Sequence, residues 1–350
     1  MLTTRCLEMV VDSTLTLFDA PAVPGLTFRC FRGEEDYPAM VAVIAGSKVA
    51  DQLERTDSVD DIARNYRHLT NSDPYQDMLF AEMNSQVIGY SRVWWQQALD
   101  GARFYEHFAM LLPEWRGKGI RHAMLRHNES RLREIAAAHQ TTDASTGVQA
   151  QCYFRSQGAD TERDWEALLV SEGYEPVRHG FNMVRPDLEN IPNLPLPAGL
   201  EVRPVQPEHY WTIWQASAEA FQDEWAAVET RGEWFEAFQE SPTFQPELWQ
   251  VAWDGDQVAG MVHNFINEQE NSEYDRKRGY TEGICVRRPW RRRGLARALI
   301  ARSFQVLKDR GMTEAALGVD TENPNGALRL YESLGFRPVK RYTIFRKPLD

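Results

Sequence analysis

The chain has 350 residues, of which 43% are hydrophobic and 26% are charged, and its formal net charge is −12. This length suffices for about two domains that each bury a core, and the composition is typical of a folded globular protein. The negative charge argues against a general nucleic-acid-binding protein, which would carry a basic surface to neutralise phosphates, so we expect no nucleic-acid partner.

Residues 1–24 are predicted to form an N-terminal extension that lacks the uninterrupted apolar core of a signal peptide. No later stretch is apolar for long enough to span a membrane. The four cysteines lack the paired spacing of a zinc site or of a disulfide framework (Cys6, Cys30, Cys152 and Cys285). We therefore expect a cytoplasmic protein with reduced thiols, no bound metal and no membrane partner.

Residues 25–188 are predicted to form a first domain whose elements recur in the second half. GLTFRCF parallels GLEVRPV, each an alternating strand, and LFAEMNSQVIGYSRVWW parallels LWQVAWDGDQVAGMVHNF, each a hairpin divided by a polar turn. The offset between the halves is 176 residues from Glu106 to Glu282 and 175 residues from Gly119 to Gly294. A period this long indicates duplicated domains and not a solenoid.

A proline-rich segment, residues 189–198, is predicted to be a stiff linker to a second domain, residues 199–350, because proline fixes the backbone and removes a hydrogen-bond donor. Each half has the order strand, helices, hairpin, strand, turn, helix, strand, helix, strand. This order predicts an α/β (α+β) fold in both domains, with a mixed, mostly antiparallel sheet flanked by helices.

In the second domain, YTEGICV is predicted to be a strand that ends near Val286, since Pro289 stops the ladder. Apolar residues at helical spacing follow Gly294. Five arginines therefore lie in a strand-to-helix turn just before this glycine, and the unpaired N–H groups of the helix N-terminus make the turn a candidate phosphate site. The alternatives are a nucleic-acid or nuclear-localisation patch and a purely structural capping turn.

Two motifs of this half resemble those of the GNAT acetyltransferase superfamily. Arg291, Gly294 and Ala296 fit the acyl-CoA loop Arg/Gln-x-x-Gly-x-Gly/Ala. The segment ENPNGALRLYESLGF looks like the family's Asn…Ala-x-x-Leu-Tyr-Glu-x-x-Gly-Phe segment. The resemblance covers the second domain and, in weaker form, the first, and the tandem organisation is also similar to that of mycothiol synthases.

This resemblance implies a GNAT fold, acetyl-CoA as cosubstrate and no metal. The loop would bind the CoA pyrophosphate, a backbone N–H of residues 284–286 would stabilise the oxyanion, and an asparagine would contact the pantetheine arm. The spacing NPNG leaves two candidates, Asn323 first and Asn325 second. The predicted cofactor-binding residues are Ile284, Cys285, Val286, Arg291, Arg292, Arg293, Gly294, Leu295, Ala296, Asn323 and Asn325.

Acetyl transfer to an amine requires removal of a proton, since a free amine with a pKa of about 10 is mostly protonated at neutral pH. Glu282 resembles the family's catalytic base, and the alternative is a surface carboxylate. Tyr331 matches the general acid that protonates the leaving thiolate, and the alternative is a core tyrosine.

The first domain departs from the family pattern at two positions. Arg121 replaces the small third residue of the loop, and Leu169 stands at the position of the catalytic tyrosine, although Glu106 remains at the position of the base. We therefore expect the first domain to be a degenerate GNAT copy with a structural or substrate-shaping role, and the second to be catalytic.

The segment after the first strand of the second domain is rich in tryptophan and carboxylates (Trp211, Trp214, Trp225, Trp234, Glu219, Asp223 and Glu224). Both attract ammonium groups, which favours a cationic amine acceptor over an ordinary amphipathic helix pair. The sequence thus predicts a monomeric or homodimeric N-acetyltransferase that moves an acetyl group to a primary amine of a small molecule. The alternatives are a protein lysine or N-terminal acetyltransferase and a non-catalytic acyl-CoA-binding regulatory module.

Overall fold

The computed structural model describes residues 14–146 and 150–349, and it divides into two compact units. Unit 1 comprises the chain as far as Val177 together with Thr343–Asp350, and unit 2 comprises Arg178–Tyr342. Residues 1–13 of the predicted N-terminal extension, with Cys6, lie outside the described residues. Among the helices of the described ranges, none combines the length and the apolar character needed to cross a membrane.

The elements of the two sequence halves follow the predicted order. The first half contains β1 (Leu26–Arg29), α1 (Tyr37–Asp51), α2 (Val59–Arg67), α3 (Pro74–Asp77), β2 (Met78–Met83), β3 (Gln86–Gln97), β4 (Arg103–Leu111), α4 (Ile120–Thr146), β5 (Cys152–Ala159), α5 (Arg163–Ser171) and β6 (Glu175–Arg185). The second half contains β7 (Glu201–Val202), α6 (Tyr210–Phe221), α7 (Gly232–Gln239), β8 (Gln250–Asp254), β9 (Gln257–Ile266), α8 (Glu268–Glu273), β10 (Arg278–Val286), α9 (Leu295–Asp309), β11 (Glu314–Asp320), α10 (Ala327–Ser333) and β12 (Arg337–Pro348).

Both predicted hairpins form. Asn84 and Ser85 join β2 to β3 with φ values of 49° and 68°, the left-handed conformation that two-residue hairpin turns favour. In the second hairpin Asp254 is the last residue of β8, and Gly255, with φ 57°, begins the turn to β9.

In unit 1 the strand order is β1-β2-β3-β4-β5, and in unit 2 it is β6-β11-β10-β9-β8-β7. The pairs β4–β5 and β10–β11 are parallel, and the other neighbouring strands in these two orders pair antiparallel. In unit 1, α4 packs its apolar face on the sheet through residues such as Met124 and Leu132, and in unit 2 α9 does so through Leu299 and Phe304. The predicted mixed, mostly antiparallel sheet flanked by helices is therefore confirmed.

Most of the last strand of the first sequence half belongs to unit 2, and the end of the last strand of the second half belongs to unit 1. β6 comes from the first half but pairs with β11 in unit 2. Residues 343–349 come from the second half but belong to unit 1, where the N–H of Leu349 donates to the carbonyl of Cys152 at 3.0 Å. The predicted boundaries, 25–188, 189–198 and 199–350, thus differ from the division of the structure. The proline-rich segment, residues 189–198, lies within unit 2.

A buried carboxylate ties the C-terminal residues into unit 1. Glu129 on α4 is fully buried, and its Oε1 atom accepts hydrogen bonds from Lys347 Nζ at 2.8 Å and from the Tyr174 hydroxyl at 3.1 Å. Burial alone would raise the pKa of Glu129, but the hydrogen bond and charge of Lys347 outweigh it and the pKa is lowered. The carboxylate is therefore ionised and depends on its donors.

We expect Lys347→Met to lower the free energy of opening of unit 1 by about 2 kcal/mol, because the buried carboxylate of Glu129 loses a charged donor while its ion pairs with Arg126 and Arg133 remain. Native-state hydrogen exchange of the β5 and α4 amides measures this loss. The matched control is Lys308→Met, which breaks an exposed pair with Glu189 and should cost less than about 1 kcal/mol. Equal costs for the two variants would contradict the prediction.

Candidate active site

A cavity of about 430 Å³ in unit 2 brings together nearly all of the predicted site residues. It lies among the end of α6, strands β10 and β11, and the first turns of α9 and α10. The predicted residues that line it are Glu282, Ile284, Cys285, Val286, Arg291, Arg292, Gly294, Leu295, Ala296, Asn323, Asn325 and Tyr331. Arg293 is exposed and does not line it.

The cavity opens where β10 and β11 separate. Their parallel pairing joins Arg278–Tyr280 to Glu314–Ala316 and ends before Glu282. On its other side, β10 has a register shift against β9 between Glu282 and Cys285, where Gly283 has φ 56°. An extra residue in one strand bends that strand and increases its twist. The bulge therefore accompanies the opening at the predicted base.

Glu282 lies at this opening as a partly buried carboxylate that accepts a hydrogen bond from the backbone of β11. Its Oε1 atom accepts a hydrogen bond from the N–H of Gly318 at 2.9 Å. Burial raises the pKa of Glu282 to about 7, although the Gly318 hydrogen bond acts in the opposite direction. A carboxylate with this pKa can accept a proton near neutral pH and release it again.

Tyr331 on α10 presents a phenol to the same cavity. The residue is only 6% exposed, and its hydroxyl makes no hydrogen bond to the described part of the chain. Burial, together with the nearby charges of Glu282 and Glu224, raises the pKa of the hydroxyl. The phenol is therefore protonated at neutral pH and available as a donor.

The arginine-rich turn leads into α9 through two left-handed residues. Arg292 has φ 61° and Gly294 has φ 83°, and no side chain caps the first turn of the helix. A Cβ atom added to Gly294 would meet nothing within 4 Å, so the turn is open on that side. Uncapped N–H groups at a helix N-terminus bind anions well.

Three of the five predicted arginines are used within the protein. Arg287 pairs with Glu219, and Arg288 and Arg291 both pair with Asp223, where Arg291 Nη1 lies 2.6 Å from Asp223 Oδ2. These ion pairs hold the turn against the end of α6. The motif arginine is thus engaged with a carboxylate, which the resemblance did not imply.

The remaining arginines are available to a ligand. Arg292, Arg293 and Arg297 form no hydrogen bond or ion pair with residues that the structure describes, and Arg292 and Arg297 line the cavity. Sequence reasoning missed Arg297. Its position in the first turn of α9, three residues after Gly294, was the signal that could have identified it.

The two candidate asparagines differ in their contacts. The side-chain oxygen of Asn323 accepts a hydrogen bond from the N–H of Asn325 at 2.9 Å, in the turn before α10. The side chain of Asn325 makes no hydrogen bond within the described ranges and lines the cavity. Asn325 therefore has the freer side chain, whereas the order of the two as contacts of the pantetheine arm stays a prediction.

The corresponding strands of unit 1 stay closed. β3 and β4 pair without a register shift, and the parallel pairing of β4 with β5 continues through Glu106 and Arg155. Arg155 Nη2 lies 2.6 Å from Glu106 Oε1. The glutamate that corresponds to Glu282 is thus held in an ion pair between paired strands.

The corresponding loop of unit 1 is filled by its own side chains. Arg116 makes two hydrogen bonds of 2.6 Å to Asp51. Arg121 is buried, with its guanidinium 4.4 Å from the centre of the Trp165 ring, and Leu169 is fully buried. A Cβ atom added to Gly119 would lie 3.4 Å from Pro21 of the N-terminal segment.

Eleven further residues line the cavity in unit 2 that the predicted site did not include, among them Phe221, Glu224, Arg297 and Asp320. Arg178 neutralises Asp320, with Nη2 and Oδ2 2.7 Å apart. Across residues 14–146 and 150–349, no three or more His, Cys, Asp or Glu side chains are arranged to hold a metal ion.

Comparison with known proteins identifies related sequences. The family model described as Acetyltransferase (GNAT) family matches residues 47–159 and 208–336. The mycothiol acetyltransferase of Catenulispora acidiphila is 30% identical over 175 residues, which are 49% of this chain and 54% of that protein. The N-alpha-acetyltransferase 30 of Schizosaccharomyces pombe is 34% identical over 96 residues, which are 27% of this chain and 61% of that protein.

The fold is also similar to a solved structure. The crystal structure of a GCN5-related N-acetyltransferase from Sphaerobacter thermophilus matches with a TM-score of 0.68 and 24% identity, over 93% of this chain and 96% of that chain. Among three mycothiol acetyltransferases that match this chain, including that of Catenulispora acidiphila, the matched segments span 54% to 59% of the length of each relative. The similarity to the solved structure shows the fold alone. The family model matches once in each half of the chain.

Proposed function

Since the chain belongs to the GNAT acetyltransferase family, we propose that unit 2 transfers the acetyl group of acetyl-CoA to a primary amine of a small molecule. The observation that carries this proposal is one cavity lined by a carboxylate with a pKa of about 7, Glu282, and a protonated phenol, Tyr331. These are the two proton-transfer groups that acetylation of an ammonium substrate requires.

In the proposed reaction, Glu282 removes a proton from the acceptor ammonium. The amine nitrogen then attacks the thioester carbonyl, and a C–N bond forms as the carbonyl oxygen becomes an oxyanion. A backbone N–H of residues 284–286, beside the bulge of β10, would donate to this oxygen. When the C–S bond breaks, Tyr331 protonates the CoA thiolate. The nitrogen then loses its second proton, which restores the phenol of Tyr331, and the proton held by Glu282 passes to solvent.

The cofactor end of the cavity suits an anion. Arg292, Arg297 and the open first turn of α9 would hold the phosphates of CoA, with Leu295 and Ala296 in the same turn. The free amide of Asn325 would contact the pantetheine arm, with Asn323 shaping the turn. Ile284, Cys285 and Val286 would lie beside the acyl group. Arg293, which is exposed, would act only through its charge.

Unit 1 would serve a structural or substrate-shaping role, as a degenerate copy. Its loop is filled by Arg121, and its glutamate is paired with Arg155. Such a loop leaves little room for a pyrophosphate, and such a glutamate is a poor base.

We expect Glu106→Gln to keep acetyl transfer within about twofold of the wild type, because Glu106 is already neutralised by Arg155. Steady-state kinetics of the full chain measure the effect. Glu282→Gln is the matched substitution at the corresponding position of unit 2. If both variants lost activity to the same degree, the assignment of chemistry to unit 2 would be wrong.

The experiment that tests the proposed function is acetyl-CoA-dependent release of free thiol with a panel of primary amines. Turnover with free amines supports the proposal. One relative is named an N-alpha-acetyltransferase, so peptides with free N-termini form a second panel, and turnover with peptides alone would favour a protein acceptor. Tight CoA binding without turnover in either panel would favour a non-catalytic module.

A further inference from the structure

One carboxylate of the cavity has no assigned role and no hydrogen-bond or ion-pair partner among the described residues. Glu224 lies three residues beyond α6, and its side chain makes no hydrogen bond or ion pair with the described residues. The other two carboxylates at the cavity are accounted for, because Arg178 neutralises Asp320 and Glu282 is the proposed base. Glu224 is therefore the acidic group still available to a ligand.

Two acidic neighbours of Glu224 on the chain form ion pairs with arginines, whereas Glu224 does not pair with any described residue. Glu219 pairs with Arg287, and Asp223 pairs with Arg288 and Arg291. The three acidic residues of this segment thus divide into two that anchor the arginine-rich turn and one that faces the cavity. This anchoring fixes the backbone from which Glu224 extends.

The cavity is lined by cationic and by acidic side chains, which lie on different elements. Its unpaired cations, Arg292 and Arg297, lie at the turn before α9 and in the first turn of that helix, where the phosphates of CoA would bind. Glu224 lies near Asp320 instead: burial and the charge of Asp320 raise the pKa of Glu224, although the charge of Arg178 acts in the opposite direction. The phenol of Tyr331, which is buried and has no hydrogen-bond partner among the described residues, lies near Glu224 in the same cavity.

We propose that the acceptor is a small diamine, in which one amino group is acetylated and a second, protonated amino group pairs with Glu224. This inference rests on the proposed function and specifies its substrate class. The reacting amine gives up its proton, whereas the second group keeps its charge throughout. Acetylation removes the basicity of one nitrogen, so the product carries a single charge.

The test compares amines of equal length on the full chain. The probes are 1,3-diaminopropane, 1,4-diaminobutane and 1,5-diaminopentane, each against the amino alcohol in which a hydroxyl replaces one amino group. We expect the wild type to prefer at least one diamine by about fivefold in kcat/KM, which corresponds to one partly exposed ion pair at the upper end of its usual range. Glu224→Gln should reduce this preference to about twofold or less.

The matched control is Glu219→Gln, which removes the same charge from the same segment at a residue paired with Arg287 and outside the cavity. It should keep the preference for the diamine. An equal kcat/KM for diamines and amino alcohols in the wild type, or an undiminished preference in Glu224→Gln, would overturn the inference while leaving acetyl transfer intact. Absence of turnover with every amine would instead contradict the proposed function.

Discussion

Glu282→Gln is expected to lower kcat by about 10² to 10⁴-fold, the usual contribution of a positioned general base. Glutamine has nearly the same volume, and its side-chain oxygen can still accept the hydrogen bond from the N–H of Gly318. The fold should therefore survive, and the loss should lie in proton removal. Stopped or continuous thiol-release assays with the full chain measure it.

The pH profile gives this prediction its sharper form. The base works as the carboxylate, and its pKa is about 7. The kcat/KM of the wild type should therefore be constant above this value and fall by about tenfold per pH unit below it. Glu282→Gln should lose this inflection. A wild-type profile that stays flat down to pH 5 would show that another group, or none, removes the proton.

Tyr331→Phe is expected to lower kcat by about 100-fold, because the CoA thiolate would then leave without a proton donor. Phenylalanine keeps the packing of the ring against Phe336. The KM for acetyl-CoA should change by about twofold or less, and steady-state kinetics separate the two constants.

Tyr174→Phe is the matched control for this variant. Tyr174 is also a buried tyrosine, but it lies in unit 1, where its hydroxyl donates to Glu129. The control should cost stability without changing kcat. A loss of kcat in the control as large as that in Tyr331→Phe would mean that the effect comes from packing and not from proton transfer.

Much of the fold follows from patterns that are local in the sequence. Alternation and turn residues indicate the hairpin at Asn84, and a glycine followed by helical spacing indicates the start of α9 at Leu295. Because the same order of elements occurs twice, one half supports the interpretation of the other. The mixed sheet in each unit could therefore be predicted without knowledge of the tertiary contacts.

Long-range contacts account for what could not be predicted. The motif locates Arg291, but nothing near it in the sequence shows that Asp223, far earlier in the chain, occupies its guanidinium. In the same way, Glu224 looks no different from its acidic neighbours until their ion pairs are known. A helix pattern shows that charges are present, whereas only the tertiary structure shows which are already neutralised.

The exchanged strands have a consequence for synthesis on the ribosome. In most multidomain chains the N-terminal domain finishes folding first. Here residues 178–342 emerge as a full set before residues 343–349 can add to the sheet of unit 1. Until residues 343–349 have been synthesised, the edge of β5 in unit 1 therefore stays unpaired. An unpaired strand edge can pair with other chains. A cut at the proline-rich segment would leave the edge of β5 permanently unpaired and would separate β6 from its partner β11. The two halves are therefore unsuited to separate expression.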